Sequence, residues 1–562
     1  MTRFFRQHHR ILFYSTWILL GLLQSTFTEL QDDEAYYWIY GQYLDWGYFD
    51  HPPMIGLLIK LGYTIFPNEL GVRLFPLLLN VFSLVIIEKL IAGNHSRLEA
   101  RQAFLFYLVS LSIAVLQVSG FVAVPDIPLI FFTALFFLCY RMFIAKTTIF
   151  NILMLGLAIA LLFYSKYHAV LIVGFTLLSN VTLFKRHPIY LAGVLALVIC
   201  IPHLWWQYQH NWVSFRYHLF ESNVNRYKFS FTTEYIIGQL LLPGPLAGFI
   251  ILPAAFLYKP RNETEKALRF TMIGIYAFFL LSSFRGRVEA NWTSPVLVSL
   301  VVLAHRFLDI HARWQRLLYK LLPFTLFLVL FARVALIFDI LPIKAVQERY
   351  HSWKKWPQEM NKITGGQPVI FSNSYQRASK YWFYTGQETL SQNDYRQRRN
   401  NYNFWPVEDS ILGKPGWFLD IYRLHRFPDS LETPVGWVGF IKDSSLASFS
   451  KIQIGLLNEP LRIRGGESLE LICQFKIPEH YRDYIKKQDS LSDTTRIGIF
   501  NSRGWVKDIY TDIKLIDMIR QPISRLHIQP GLERGEYFLR FAIHTGFYNP
   551  THNSEKILLK VE

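Results

Sequence analysis

Cysteine is nearly absent: three residues in 562, Cys139, Cys200 and Cys473. So few exclude a disulfide-stapled scaffold and any Cys-rich zinc or iron–sulfur motif, the more so because two of the three lie inside apolar runs. Charge is also scarce. Asp, Glu, Lys and Arg make up 18% of the chain, below the roughly 25% of ordinary soluble proteins, while apolar types reach 51% and aromatics 17%. That balance argues against a purely soluble protein. Short-period repeats and low-complexity tracts are missing as well. Mean hydropathy is only +0.19, modest for a wholly embedded chain, so a very apolar part must be averaged with an ordinary one. The two separate near residue 340.

The charge that is present is unevenly placed. Lys and Arg outnumber Asp and Glu by 58 to 41, a net +17, which in a soluble protein would point first to nucleic acid. Here Arg3, Arg6 and Arg10 stand directly before the apolar run Ile11 to Phe27. Further clusters, Arg97/Arg101, Arg141/Lys146, Lys185/Arg186, Lys259/Arg261/Lys266/Arg269 and Arg306/Arg313/Arg316, end alternate apolar segments. This is the positive-inside pattern of a polytopic membrane protein, so the expected partners are membrane lipids and not nucleic acid. The first run is long for a signal peptide's apolar core and has no convincing small-residue cleavage site, so it reads as a membrane helix.

A span needs roughly 20 mostly apolar residues. Eleven stretches qualify, around 11–28, 71–92, 103–122, 127–145, 150–165, 168–184, 188–204, 236–257, 268–284, 294–308 and 317–338. With a cytoplasmic N-terminus, an odd number places the C-terminal part outside. The stretch 53–66 is apolar but short and bracketed by Pro52, Pro53 and Pro67, and reads as a helix lying at the interface. Beyond Leu341 the pattern becomes soluble. PVIFSNSYQRASKYWFYTG and GWFLDIY suggest a small α/β unit over 341–431. The runs SLELICQFKI, TRIGIFNS and GEYFLRFAIH, separated by Gly, Pro, Asn and Asp, suggest a β-sandwich over 432–562. The expected fold is a polytopic α-helical membrane domain, residues 1–340, followed by these two extracytoplasmic domains.

The densest chemistry lies in one extracytoplasmic loop, QDDEAYYWIYGQYLDWGYFDHPPM. Asp32, Asp33 and Glu34 follow the first span, and Asp45, Asp50 and His51 come within twenty residues. Carboxylates crowded beside a membrane raise one another's pKa, and ionisable groups there are functional candidates; a general base or a cation site would account for them. The plainer reading is that they cap a helix starting near Asp33. Elsewhere Asp126 lies in VAVPDIPL, Lys166 in YSKYHA, and Arg285, Arg287 and Glu289 in FRGRVEANW. Lys166 either binds an anion or snorkels to headgroups. Two cations beside one acid make Arg285 and Arg287 candidates for anion binding. His203, His210 and His218 form no recognised metal-ligand spacing.

These segments, together with LGVRL, HLWWQYQHNW and RVEANW, resemble the bacterial glycosyltransferase family 39, the protein O-mannosyltransferase-like members of the GT-C superfamily. The aminoarabinose transferases that modify lipid A are distant relatives. The resemblance covers roughly residues 10–340. It implies a GT-C membrane enzyme that takes one sugar from a polyprenyl-phosphate carrier and passes it, usually with inversion, to an extracytoplasmic acceptor. The acceptor is a protein, a lipid A-type glycolipid or an envelope glycan. By the same resemblance the family's Asp–Glu pair falls on Asp33 and Glu34, with Asp33 the acceptor-activating base. FDHPP puts Asp50 and His51 where relatives often carry an acid followed by Lys, so a titratable His51 replaces a fixed cation near the phosphate.

A carboxylate that takes the acceptor's proton is worth about a hundred- to ten-thousandfold, and cations beside the departing phosphate stabilise its growing charge. Lys166, Arg285 and Arg287 are the candidates for that second role; Asp50, Asp126, Glu289 and Asn291 are candidates for sugar or acceptor contacts. Asp32, Asp33, Glu34 and Asp50 could hold a divalent cation through hard oxygens, but the resemblance implies catalysis without a metal or other cofactor. The expected location is the bacterial cytoplasmic membrane, with the site and the C-terminal domains on the periplasmic side. A transporter or flippase of lipid-linked sugars is the competing class, although its charges would be expected near the midplane in paired repeats and not gathered at one face.

Overall fold

The computed structural model describes residues 3–221, 227–341, 343–434, 436–488 and 491–562. The chain divides into two compact units, Met1–His351 and Ser352–Glu562.

Unit 1 is helical. Its helices are α1 (Arg3–Phe27), α2 (Asp32–Gln42), α3 (Met54–Ile65), α4 (Glu69–Ala92), α5 (Ala100–Ser112), α6 (Asp126–Ala145), α7 (Ile149–Ser165) and α8 (Ala169–Ser179). They are followed by α9 (His187–Gln209), α10 (Val213–Arg216), α11 (Phe229–Leu241), α12 (Gly248–Leu257), α13 (Glu263–Ser282), α14 (Val296–Ile310), α15 (Ala312–Ile337) and α16 (Lys344–Tyr350). Each of the eleven apolar stretches falls on a helix or an interrupted pair. Among the described residues α4, α6, α9 and α15 are individually long and apolar enough to cross a membrane, and α1 joins them when taken with α2. The molecule is a multi-pass membrane protein.

Three features position the functional loops. First, the chain bends by 88° between α1 and α2, so the helix bearing the acidic loop runs across the end of the first span. Second, the stretch expected as one span over 103–122 breaks: α5 ends at Ser112, and a single π turn, Val115–Ser119, follows. Arg333 of α15 fastens this turn by donating from Nη1 to the Gln117 carbonyl (2.6 Å) and from Nη2 to that of Leu20 in α1 (2.7 Å). Third, the 236–257 stretch divides into α11 and α12 around Pro243 and Gly244, whose φ of +128° favours glycine.

Among the described residues unit 2 holds α17 (Trp356–Thr364), α18 (Tyr375–Thr385), three further short α-helices and thirteen strands. β1 (Val369–Ser372), β2 (Thr389–Gln392), β3 (Gly416–Asp420), β4 (Asp429–Thr433) and β5 (Gly436–Asp443) form one sheet in the order β2-β1-β3-β5-β4. Its first three strands are parallel. The others are β6 (Gln453–Leu456), β7 (Leu461–Ile463), β8 (Leu469–Lys476), β9 (Asp493–Asn501), β10 (Gly504–Thr511), β11 (Ile523–Ile528), β12 (Gly535–Thr545) and β13 (Ile557–Val561). They build two sheets, β10-β9-β12-β13-β7 and β11-β8-β6, with a shared core that includes Leu471, Phe475, Ile497, Ile499, Leu539 and Phe541.

Two boundaries read from the sequence therefore shift. The α/β sheet runs through Asp443, past residue 431, because the weakly apolar β4 and β5 pair as a hairpin. The helical unit runs past residue 340 to His351, because polar α16 packs back on it: the Tyr350 hydroxyl donates to Gln31 Oε1 (2.9 Å).

Candidate active site

The acidic loop begins with a buried lock. Glu34, wholly enclosed, accepts four hydrogen bonds, from Arg73 Nε (2.7 Å), Arg73 Nη2 (2.5 Å), the Gln31 backbone N (3.0 Å) and the Ala123 backbone N (2.8 Å). Arg73 of α4 donates its remaining N–H groups to the carbonyls of Ser25 (3.1 Å), Thr28 (2.6 Å) and Glu29 (2.8 Å). The bidentate pair therefore ties together the end of α1, the start of α2, α4 and the segment before α6. Asp33, one residue earlier on α2, is half-buried. Asp32 lies 3.8 Å from Arg349 Nε of α16.

A second cluster gathers at the start of α6. Asp126 Oδ1 accepts from Lys166 Nζ (2.9 Å), at the end of α7, and from Ser294 Oγ (2.7 Å). Its Oδ2 accepts from Asn291 Nδ2 (3.0 Å). Lys166 and Asp126 are both buried, 5% and 7% exposed, and a buried ion pair is tolerated where, as here, each partner faces the other and further hydrogen bonds satisfy the carboxylate. Ala123, on the same connection, holds Glu34, which places the two clusters at opposite ends of one short segment.

The FDHPP turn closes the site. Asp50 is buried and accepts from the Tyr36 hydroxyl (3.1 Å), and its carbonyl meets His218 Nε2 at 2.8 Å. The His51 ring lies 5.5 Å from that of Tyr37 and 6.5 Å from that of His218. Burial, reinforced by the nearby Lys166 charge, pushes its pKa down to about 3.

Beside this polar floor runs an apolar groove of about 580 Å³ between α7, α8 and α9, lined by Leu155, Val173, Gly193 and Leu197 among others. Its polar end is made by Tyr167, His203, Ser214 and His218. Ser214 and His218 both bond the 48–51 turn, so the polar end of the groove lies against that turn, and Tyr167 in it follows Lys166 directly in the chain.

The structure brings Asp126, Lys166 and Asn291 together as neighbours. It corrects three other expectations. Glu34 has no oxygen lone pair left for a substrate. His51 is a neutral ring and not a cation. Arg285, Arg287 and Glu289 stay at the surface, where Arg287 lies 3.3 Å from Glu234 and 3.6 Å from Glu289; a surface pair of this kind is worth little. Of the four acids considered for a divalent cation, Asp32 faces Arg349, Glu34 is held by Arg73 and Asp50 by Tyr36, and among the described residues no three His, Cys, Asp or Glu are grouped as metal ligands. Four residues went unassigned in the sequence: Arg73, Ser294, Arg349 and Tyr167. Only Arg73 carried a signal, since a guanidinium inside an apolar run is costly without a partner.

Residues 50–206 match the family model for dolichyl-phosphate-mannose-protein mannosyltransferase. The chain is 24% identical over 308 residues to the lipid A galacturonosyltransferase RgtD of Rhizobium johnstonii. That match spans 52% of this chain and 63% of the relative, less than two thirds of its length. ArnT from Cupriavidus metallidurans shares the fold in its apo form (TM-score 0.58, 14% identity) and bound to undecaprenyl phosphate (TM-score 0.56, 15% identity). Each covers 77% of this chain and 97% of the ArnT chain. These matches agree with the resemblance read from the sequence: the chain has the fold of ArnT and is similar over part of its length to a lipid A galacturonosyltransferase.

Proposed function

We propose that this protein is a membrane glycosyltransferase that moves a single sugar from a polyprenyl-phosphate donor to an extracytoplasmic acceptor hydroxyl. The carrying observation is an apolar groove whose polar end includes Tyr167, the residue directly after the Lys166 that pairs with Asp126: a donor with an isoprenoid tail and a phosphate needs an apolar channel with a cation near its polar end. The match to a protein that bears undecaprenyl phosphate in the same fold supports that reading.

In the reaction the acceptor oxygen attacks the anomeric carbon while the bond from that carbon to the phosphate oxygen breaks. The acceptor's proton passes to the Asp33 carboxylate, and polyprenyl phosphate leaves with the bonding electron pair. Attack opposite the leaving group inverts the anomeric centre. Lys166, anchored by Asp126, stabilises the departing charge in a site from which water is largely excluded. Asp126 and Asn291 orient the sugar end, while Glu34 and Arg73 hold α2 so that Asp33 faces the acceptor. The neutral His51 ring and Asp50 shape the turn at the groove's mouth. The named relative supports a lipid A-type glycolipid as the acceptor over a protein or a polysaccharide. The site then lies on the outer face of a bacterial cytoplasmic membrane, and a side-chain base with a lysine needs no divalent cation.

The test supplies purified protein with a panel of polyprenyl-phosphate sugars and follows release of free polyprenyl phosphate, with and without EDTA. Asp33→Asn should lower turnover by about a hundred- to ten-thousandfold. Near-normal turnover in that variant removes Asp33 as the base. Labelled lipid crossing a liposome bilayer with no donor consumed would make the protein a transporter.

A further inference from the structure

Unit 2 carries an organised cluster that sugar transfer does not use. Its hub is the Asp508 carboxylate of β10, which accepts from Trp505 Nε1 (2.6 Å), Arg396 Nη2 (2.6 Å) and the Tyr395 hydroxyl, with Arg496 Nη1 3.6 Å away. Burial opposes its ionisation, but the hydrogen bonds from Tyr395, Trp505 and Arg396 outweigh burial and hold the carboxyl below the usual range. A charged hub with this many donors fixes everything around it. The Arg396 guanidinium lies 4.2 Å over the Trp505 ring, and that of Arg496 lies 4.8 Å over the Tyr510 ring.

The rings so fixed are not buried. Trp505 is 48% exposed and Tyr510 65%. Two aromatic side chains pinned on one side and open to water on the other have had their freedom removed before any ligand arrives, which is what a binding surface requires. The strand register explains how they share a face. Side chains alternate along a strand, so residues five apart should point to opposite faces. The pairing shifts between Trp505 and Lys507, and this bulge turns Trp505 to the face of Tyr510. Their partners on β9 are Phe500 and Arg496, four residues apart on the face away from the Ile497 and Ile499 core, so the two rings stand ~13 Å apart. Arg396, Arg496, Arg423 and Arg540 outnumber the Asp508, Asp394 and Asp420 carboxylates beside them, which leaves the face positive, and Arg396 is more open than Arg496, 38% exposed against 10%.

We infer that this face of the sandwich binds an anionic oligosaccharide. Sugar rings stack on Trp505 and Tyr510, and a carboxylate or phosphate substituent pairs with Arg396. A neutral glycan would leave the cations unused, and a simple polyanion would leave the rings unused. The inference stands independently of the transferase reading.

Isothermal titration of the full-length protein in detergent tests it, with a mannuronate hexamer, maltohexaose and polyglutamate as probes. The hexauronate should bind, and Trp505→Ala and Arg396→Ala should each weaken it at least tenfold. Tyr510 donates nothing to Asp508, so Tyr510→Ala keeps the hub's hydrogen bonds, removes only the ring beneath Arg496, and should weaken binding to a similar degree. Absence of hexauronate binding at millimolar concentration would overturn the inference. So would equal binding of maltohexaose, equal binding of polyglutamate, or an unchanged affinity in Tyr510→Ala.

Discussion

A carboxylate whose two oxygens already accept four hydrogen bonds cannot also take a substrate's proton, and this removes Glu34 as the base. Glu34→Gln leaves Arg73 buried beside a group that cannot balance its charge, and breaking such a pair costs about 3–5 kcal/mol. The expected outcome is a lower unfolding midpoint in detergent, with near-normal turnover per folded molecule. Asp33→Asn should do the opposite, and measuring both quantities on both variants separates the roles. His51 titrates in a window set by burial. Its folded pKa, about 3, lies below the unfolded value of 6.5, so between those values the unfolded chain holds a proton that the native state lacks. Stability from this source is complete above about pH 6.5 and is lost as pH falls toward 3. His51→Gln should therefore flatten the dependence of the unfolding midpoint on pH across that window. It should leave the activity profile between pH 6.5 and 8 unchanged, because the native ring is already neutral there.

Between elements, close backbone approach does what side chains do elsewhere. Gly62 of α3 and Gly71 of α4 lie against each other: a Cβ on Gly71 would overlap the Phe66 carbonyl oxygen and come within 2.8 Å of that of Gly62. Small residues let membrane helices meet this way, and because the obstacles are backbone atoms, neither side can yield cheaply. Gly71→Ala should cost at least about 1–3 kcal/mol and splay α3, which follows directly from the FDHPP turn. Gly174 of α8 has nothing within 4 Å of a Cβ, so Gly174→Ala should be neutral or stabilise by up to about 1 kcal/mol. Thermal unfolding of the two variants side by side makes the comparison. The helices themselves were legible in the sequence because a long apolar run has few alternatives near a bilayer. Their interruptions were not, since the break after Ser112 depends on an arginine more than two hundred positions away in α15. The same limit governs the site. Asp126, Lys166 and Asn291 were each visible as ionisable or polar groups in apolar surroundings, but their meeting spans 40 and 165 residues and requires the packing of α6, α7 and the segment before α14. Arg285 and Arg287 carried the same local signal and lie on the surface, because composition does not say which side of a loop faces inward.

Over the whole molecule, the lengthwise division of labour follows from where polar groups can be satisfied. In the helical unit the buried pairs Glu34–Arg73 and Lys166–Asp126 fix the loops of the site, while buried Glu88 and Glu265 pair with Arg10 and Arg306 elsewhere in the unit. It leaves a groove whose walls are almost entirely apolar side chains, while the strand-rich unit carries an ordinary soluble core. If the groove holds the donor's tail, filling it should harm only donors that have one. Gly193 of α9 lines the groove, and a Cβ there would meet no atom within 4 Å, so Gly193→Phe adds bulk to the channel without a backbone clash. The Lys166–Asp126 pair remains untouched by that change, and the chemical step should be preserved. The expected result is a KM for a full-length polyprenyl-phosphate sugar raised about tenfold or more, the loss of a kilocalorie or two of apolar contact, with kcat retained. A water-soluble donor carrying one or two isoprene units, which needs little of the groove, should show the same kcat/KM in both proteins. An unchanged KM for the long donor in Gly193→Phe would place the tail elsewhere, and an equal loss for short and long donors would mean that the substitution had disturbed the reacting end.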